Sequence, residues 1–306
     1  MSESTNQKLY DAIIVGGGPA GISAALVLGR CRRRVLVCDS GESRNEWSVS
    51  LNGYLTRDGI HPKEFLAIGR RELEPYGVEW KNTRVVEAAC GANGWFQLWT
   101  EDGQQLNAKK LLLATGLKDY WPEIPGSRPF YGTSIHHCPY CDGWESRDKP
   151  LVAYGIGRVA IGLSMSLKTW SPDVTLCTDG SNRLTTEDRD KLARNGIKVR
   201  TEKITRAVGT GGQLEALHLS NGESIPCGAL FFALASVQRS DLPRQLNCEF
   251  TAKGVVKSDT KQKAHLTGLY LAGDADRDMQ QVIVAAAEGV KAAININKEL
   301  QEESYR

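Results

Sequence analysis

A chain of 306 residues exceeds the roughly 250–300 at which one hydrophobic core stops growing, so two domains are expected. Hydrophobic residues make up 41% and charged residues 24%, enough apolar surface to exclude disorder as the main state. Lys and Arg number 38 against 36 Asp and Glu, and this near balance excludes the basic field that nucleic-acid binding needs.

The polar opening, MSESTNQKLYD, has no signal-peptide core. No apolar run approaches the roughly 20 residues of a membrane span, so a cytoplasmic protein with no membrane partner is expected. The first predicted strand, 10–15, meets a turn at Gly16–Gly18. A helical pattern follows over 19–30, and a second strand over 34–38 ends at Asp39. Two strands flanking one helix form a βαβ unit with a parallel sheet. In Gly16-x-Gly18-x-x-Gly21 the first glycine permits the tight turn. The second lets backbone N–H groups approach a pyrophosphate, and the third lets helix and strand pack closely. The helix N-terminus stabilises phosphate charge, and Asp39 can accept hydrogen bonds from ribose hydroxyls.

Runs at 85–89 and 95–100 flank Asn93-Gly94, a hairpin signal, and a strand over 110–114 leads into Thr115-Gly116. The βαβ pattern then repeats: strand 150–154, turn Gly155-x-Gly157-x-x-Ala160, helix 159–168, strand 173–177. Hairpin patterns recur around Gly211-Gly212 and Asn221-Gly222. A strand at 269–272 ends in Gly273-Asp274, and a helical pattern runs over 280–300. The fold class is therefore α/β, with two dinucleotide-binding, Rossmann-like domains and the second inserted in the first. The expected division is 1–118 plus 243–306 for the first domain and 119–242 for the insert.

Of the eight cysteines, only Cys138 and Cys141 form a close pair. A four-cysteine zinc site needs a second pair, so no metal is expected. Cys31, Cys38, Cys90, Cys177, Cys227 and Cys248 are read as buried small hydrophobes. A Cys-x-x-Cys can close a small disulfide and relay two electrons, with one thiolate stabilised by a helix end or a neighbouring charge.

In order along the chain stand GGGPAG at 16–21, LATG at 113–116, CxxCDG at 138–143, GxGxxA at 155–160, and GDA followed by QQVIVAAAEG at 280–289. Together they resemble the low-molecular-weight thioredoxin reductase family over nearly the whole chain. The resemblance implies FAD in the first domain. Its cofactor-binding residues would be Gly16, Gly18, Pro19, Ala20, Gly21, Asp39, Ser40, Asn52, Ala114, Thr115, Gly116, Gly273, Asp274, Gln281 and Val282. Asp274 would face the ribityl-phosphate part, and the helix after Gln281 would point its N-terminus at the flavin ring. Cys141 would exchange electrons with the flavin, Cys138 would attack the substrate disulfide, and Asp142 would shuttle the proton. Hinges near Leu117 and Ser240, a homodimer through the flavin domain around Val290 and Ile294, and a thioredoxin-like protein or small disulfide or dithiol as substrate are implied too.

One stretch departs from the family. NADPH-dependent members follow the second glycine motif with a His-Arg-Arg run and a further Arg that hold the 2′-phosphate. Here Asp179 stands in that place, with only Arg183 nearby. Gly155, Gly157, Arg158, Ala160 and Asp179 thus mark a second nucleotide site of open identity, for a nicotinamide nucleotide or a second flavin. Four electron routes stay open: NADPH through other contacts, ferredoxin, a second flavin, or oxygen with a dithiol oxidase. A donor other than NADPH, ferredoxin or a second flavin, is favoured. A nonenzymatic FAD-binding redox sensor is the contrasting reading, disfavoured by the intact CxxCDG. His137 is a candidate proton relay. Tyr140 and Trp144 are candidates for a substrate rim, and Tyr305 for a tail aromatic covering the flavin.

Overall fold

A computed structural model describes residues 8–276 and 279–305. In chain order the first elements are β1 (Leu9–Val15), α1 (Pro19–Arg30), β2 (Val35–Asp39), α2 (Pro62–Arg71), β3 (Glu79–Asn82), β4 (Val85–Cys90), β5 (Phe96–Thr100), β6 (Gln105–Leu113) and β7 (Leu117–Asp119). Then come β8 (Ile135–His136), α3 (Pro139–Asp142), β9 (Leu151–Gly155), α4 (Gly157–Leu167), β10 (Val174–Cys177), α5 (Thr186–Arg194), β11 (Ile197–Arg200), β12 (Ile204–Thr210), β13 (Gln213–Leu219) and β14 (Ser224–Pro226). The last are β15 (Ala229–Ala233), β16 (Ser236–Gln238), α6 (Leu242–Gln245), β17 (Leu269–Leu271) and α7 (Val282–Ser304).

The chain separates into two compact units. The first draws its described residues from Met1–Glu46, Lys63–Lys118 and Ser236–Arg306, the second from Trp47–Pro62 and Asp119–Ala235. Segment 47–62 differs from the expected uninterrupted range 1–118. Within the second unit, Asn52 Nδ2 donates to Cys141 O at 2.9 Å, and Gly132 packs so closely on Trp47 that a Cβ would strike its carbonyl.

The first unit is built on a sheet ordered β3-β2-β1-β6-β5-β4, with β17 also on β6. β1 pairs in parallel with β2 and β6, and β17 in parallel with β6. Side chains alternate across it, as a pleated strand requires. Ile13, Val15, Leu111, Leu113, Leu269 and Leu271 fill one core, whereas Ala12, Ile14, Leu112 and Tyr270 pack on the other face with α1 and α7. The β4–β5 pair is antiparallel around the Asn93-Gly94 turn. α1 begins at Pro19, where the fixed φ of proline suits the first helical position.

α1 and α7 cross at very short range. A Cβ on Gly289 would run into Ala20 O, and Ala20 Cα lies at 3.1 Å. Gly289→Ala should therefore overpack this contact and cost about 1–3 kcal/mol or more. Thermal unfolding should show a midpoint several degrees lower; an unchanged midpoint would mean that the helices do not meet there.

The second unit repeats the design. Its parallel sheet has the order β11-β10-β9-β15-β8, with β12-β13-β14 as a separate antiparallel sheet. Val152, Tyr154, Leu230 and Phe232 face one core, and Leu151, Ala153, Ala229 and Phe231 the other. α5 begins with a reciprocal cap: Thr185 Oγ1 accepts from Asp188 N, and the Asp188 carboxylate accepts from Thr185 N.

Among the described residues no helix is long and apolar enough to cross a membrane, and no cluster of three or more His, Cys, Asp or Glu could hold a metal. Cys38, Cys177, Cys227 and Cys248 are buried, but Cys31 and Cys90 are exposed, contrary to the expectation for them. Cys31 follows the last turn of α1 and Cys90 ends an edge strand, where nothing covers them.

Candidate functional site

In the first unit the expected cofactor residues gather at the carboxyl ends of the parallel strands, where open α/β sheets bind ligands. Gly16, Gly18, Pro19, Ala20 and Gly21 form the β1–α1 turn, Asp39 ends β2, and Ser40 follows it. Ala114, Thr115 and Gly116 follow β6. Gly273 and Asp274 follow β17, and Gln281 and Val282 start α7. The glycines divide the work. Gly16 has φ +111°, and a Cβ there would strike Ala114 O, while one on Gly21 would strike Gly16 O. These two serve the fold itself. Gly18 has φ −75° and open space where its Cβ would be, so nothing within the chain requires it.

Asp39 Oδ1 accepts from Gly17 N at 3.0 Å, holding the carboxylate against the turn. α1 has no side-chain cap and no acid in its first turn, and α7 starts in the same way, so both present unscreened N–H groups. Thr115 Oγ1 is buried and lacks a hydrogen-bond partner among the described residues. An open cradle at Gly18, uncapped helix starts and this hydroxyl fit a dinucleotide such as FAD. Sequence reading missed Arg44. Its guanidinium pairs with Asp274 Oδ2 at 2.7 Å and donates to Gln280 Oε1 at 2.7 Å, joining the loop after β2 to the loop after β17. Only its position five residues beyond Asp39 hinted at this. Asn52 falls in the second unit's cluster, bonded to Cys141 O.

The second unit carries the thiols. Cys138 is the N-cap of the single-turn helix α3, with extended φ −119° and ψ 109°. Its carbonyl accepts from Cys141 N and Asp142 N, both at 3.2 Å, so one turn holds both sulfurs and the acid. Neither cysteine is in a disulfide. Gly143 must be glycine, because a Cβ would meet the Trp170 ring at 2.6 Å. That ring also takes Tyr140 edge-on, with centroids 5.6 Å apart. Tyr140 and Trp144 are 76% and 65% exposed, and Arg147 lies over the Trp144 ring at 4.1 Å.

The Asp142 carboxyl is pushed up to about 7, by burial first and then by the charges of Cys138 and Glu145. An acid that titrates near neutrality exchanges protons in both directions. Of the two histidines beside the pair, His136 lies against Asp142. His136 Nδ1 lies 3.4 Å from Asp142 Oδ1, with the ring 7% exposed. Burial, then His137, pushes His136 down to about 4, so the imidazole is neutral. His137 instead tilts against Phe232 at 6.2 Å.

The second glycine motif sits at the end of β9. Gly155 has φ +147° and Gly157 φ +71°, and Ala160 is fully buried in α4. The Asp179 carboxylate is committed to the fold. Oδ2 accepts from Tyr154 OH at 2.8 Å and Oδ1 from Ile204 N at 2.9 Å. Arg200, on the adjoining strand, pairs with Glu223 at 2.8 Å. Arg158 and Arg183 are exposed. Arg158 acts on Asp188, whose carboxyl is held below its usual range, first by the Thr185 hydroxyl. No cluster of arginines lies at the end of β10 among the described residues. Tyr305 is 84% exposed at the far end of α7, a helix of 23 residues and thus about 35 Å from the α7 start in the same chain.

A family model described as pyridine nucleotide-disulphide oxidoreductase matches residues 10–289. The chain is 30% identical to thioredoxin reductase tcpT of Claviceps purpurea, covering 93% of this chain and 92% of that one. It is 28% identical to thioredoxin reductase sirT of Leptosphaeria maculans, covering 96% and 95%. An oxidoreductase from Agrobacterium tumefaciens superposes with a TM-score of 0.89 at 31% identity, over 96% of this chain and 99% of that one.

Proposed function

The chain belongs to the pyridine nucleotide-disulphide oxidoreductase family as a thioredoxin reductase-like, flavin-dependent disulfide oxidoreductase, and from that premise we propose that it moves two electrons between FAD and a disulfide through Cys138 and Cys141. The observation that carries this reading is the single turn that presents both thiols with an acid titrating near 7. The substrate class is a thioredoxin-like protein or a small disulfide or dithiol, received at the Tyr140–Trp144 rim. The FAD-holding unit forms the homodimer, with half-exposed Ile294 on α7 in the contact.

FAD, when bound, supplies a two-electron store that equilibrates with the dithiol. Gly18 lets it approach the β1–α1 turn, Asp39 takes its ribose, and the α1 start faces its pyrophosphate. Thr115 and Asp274 complete the cradle. On the dithiol side, the Cys138 thiolate attacks one substrate sulfur, forming a mixed disulfide and releasing the other sulfur as a thiolate. Cys141 then attacks Cys138 Sγ, closing the internal disulfide and freeing the second substrate thiol. Asp142 takes and returns the proton that these thiols exchange. The reverse sequence oxidises a dithiol.

Electrons enter from a donor other than NADPH, reduced ferredoxin or a second flavin being the favoured classes. What supports this is the braced Asp179 and the paired Arg200 at the edge where a 2′-phosphate would need cations. An anaerobic panel of NADPH, NADH, reduced ferredoxin and dithiols tests donor and activity together through flavin bleaching.

Gly18→Val separates the cofactor from the fold. Because a Cβ at Gly18 meets nothing within the chain, the apoprotein should unfold at the wild-type temperature. FAD content should nevertheless fall steeply, since the side chain enters the pyrophosphate path. Full flavin occupancy in that variant would remove the assignment of this turn.

A further inference from the structure

The mechanism above uses Asp142 but leaves its buried neighbour idle. His136 is the last residue of β8, whose Ile135 and His136 pair with Leu230 and Phe231 of β15. The ring rests on Phe231 at 5.4 Å, so its plane is set by the sheet and not by the thiol helix. Its Nδ1 reaches 3.4 Å from Asp142 Oδ1, longer than a formed hydrogen bond but close enough to make one with a small rotation of the carboxyl. Resting on the reading of Asp142 as the proton carrier, we propose that His136 is a positioning residue for Asp142, a neutral imidazole that partners the carboxyl in both of its protonation states.

A buried carboxyl that changes charge must keep a hydrogen-bond partner in each form, or one form is left stranded. Lysine or arginine could serve only the carboxylate, and a backbone carbonyl only the acid. Imidazole serves both, because a bare Nδ1 accepts from the acid and an Nδ1–H donates to the carboxylate. This requires the ring to stay neutral, and its surroundings keep it so: burial, His137 and Lys149 all act against protonation, with only the Thr133 backbone favouring it. The charges that raise Asp142 are those of Cys138 and Glu145, both anionic when ionised. The step itself is proton transfer alone. The Asp142 O–H bond breaks as the S–H bond forms on a cysteine thiolate, leaving a carboxylate; when His136 then presents Nδ1–H in place of a bare Nδ1, Nδ1 takes a proton from water and Nε2 gives one to water, so the ring stays neutral.

Hydrogen bonds to a charged group are the stronger ones, so losing the imidazole harms the carboxylate more than the acid. His136→Leu should raise the Asp142 midpoint, whereas His136→Asn, whose amide nitrogen stands near the place of Nδ1, should return most of the shift. The measurement is an infrared pH titration of the oxidised, FAD-loaded protein, following the protonated-carboxyl band that Asp142→Asn deletes. Stopped-flow bleaching of the flavin by dithiothreitol at each pH accompanies it. The expected result is a midpoint at least half a unit higher in His136→Leu, with bleaching slowed roughly tenfold, and both largely restored in His136→Asn. If His136→Leu does not fold, His136→Phe takes its place with the same expectation. A midpoint that stays or falls, or no difference between the Leu and Asn variants, overturns the role of His136. The underlying reading of Asp142 fails separately, if Asp142→Asn bleaches at the wild-type rate.

Discussion

Mixed under nitrogen with millimolar NADPH, the oxidised flavoprotein should remain yellow for many seconds. A 2′-phosphate carries close to two negative charges and is normally held by arginine through charge-assisted hydrogen bonds. Each such contact contributes about 1.5–3 kcal/mol. Three of them at the low end amount to roughly three decades of affinity, since about 1.4 kcal/mol is tenfold. At the end of β10 this chain offers Asp179, and the carboxylate cannot swing away, because Tyr154 OH and Ile204 N hold its two oxygens. The cation on the adjoining strand, Arg200, is already paired with Glu223. Recruiting it would break that pair. Replacing Asp179 alone should not create NADPH activity, since it removes a repulsion without supplying a cation, and it would also strip Tyr154 of its acceptor. Flavin reduction within a second at millimolar NADPH would sink this expectation and make the protein a conventional NADPH-dependent reductase.

Much of this was legible in the chain because local chemistry and tertiary role coincide there. Pro19 and the glycines mark the β1–α1 turn whether or not the rest of the molecule is known, and Asn93-Gly94 announces its hairpin. Four helices escaped, two of them the single turns α3 and α6. α5 is strongly polar, with Leu192 its only buried residue, so no apolar period marks it. Its reciprocal cap between Thr185 and Asp188 was the available signal. α2 buries only Pro62 and falls between polar loops. The site was harder to read where it depends on neighbours distant in sequence. Nothing local distinguishes His136 from His137; strand pairing with β15 turns one toward Asp142 and the other toward Phe232. Arg44 and Asp274 are 230 residues apart, and only the sheet brings their loops together. Asp179 read correctly as an acid at a strand end, but its bond to Ile204 N shows a bracing role that spacing alone cannot reveal.

Replacing either cysteine of the pair by serine should lower dithiol-driven flavin bleaching by at least about a thousandfold, while FAD content stays at the wild-type level. A two-electron relay through a disulfide needs two sulfurs, and a hydroxyl neither forms the bond nor ionises near neutrality. No other thiol can substitute. Burial pushes Cys38 and Cys177 up to about 12 and Cys248 to about 11, and raises Cys227 well above the usual thiol range, so all four stay protonated and inert. The exposed pair, Cys31 and Cys90, lies in the first unit, on other elements, and serves as the control: Cys31→Ser and Cys90→Ser should keep full activity. The two catalytic variants should then separate the roles within α3. Cys141→Ser leaves the N-cap thiol able to attack an activated disulfide but removes the sulfur that resolves the product, so one equivalent of a stable mixed disulfide should accumulate on Cys138. Cys138→Ser should accumulate far less, because it removes the N-cap sulfur, and Cys141 sits within the α3 turn with its carbonyl tied to Asn52. Mass spectrometry after reaction with an aromatic disulfide reads this directly. An adduct that forms on Cys141 in preference to Cys138 would reverse the assignment of outer and inner thiol, and bleaching above about a tenth of the wild-type rate in either variant would remove the dithiol from the electron path.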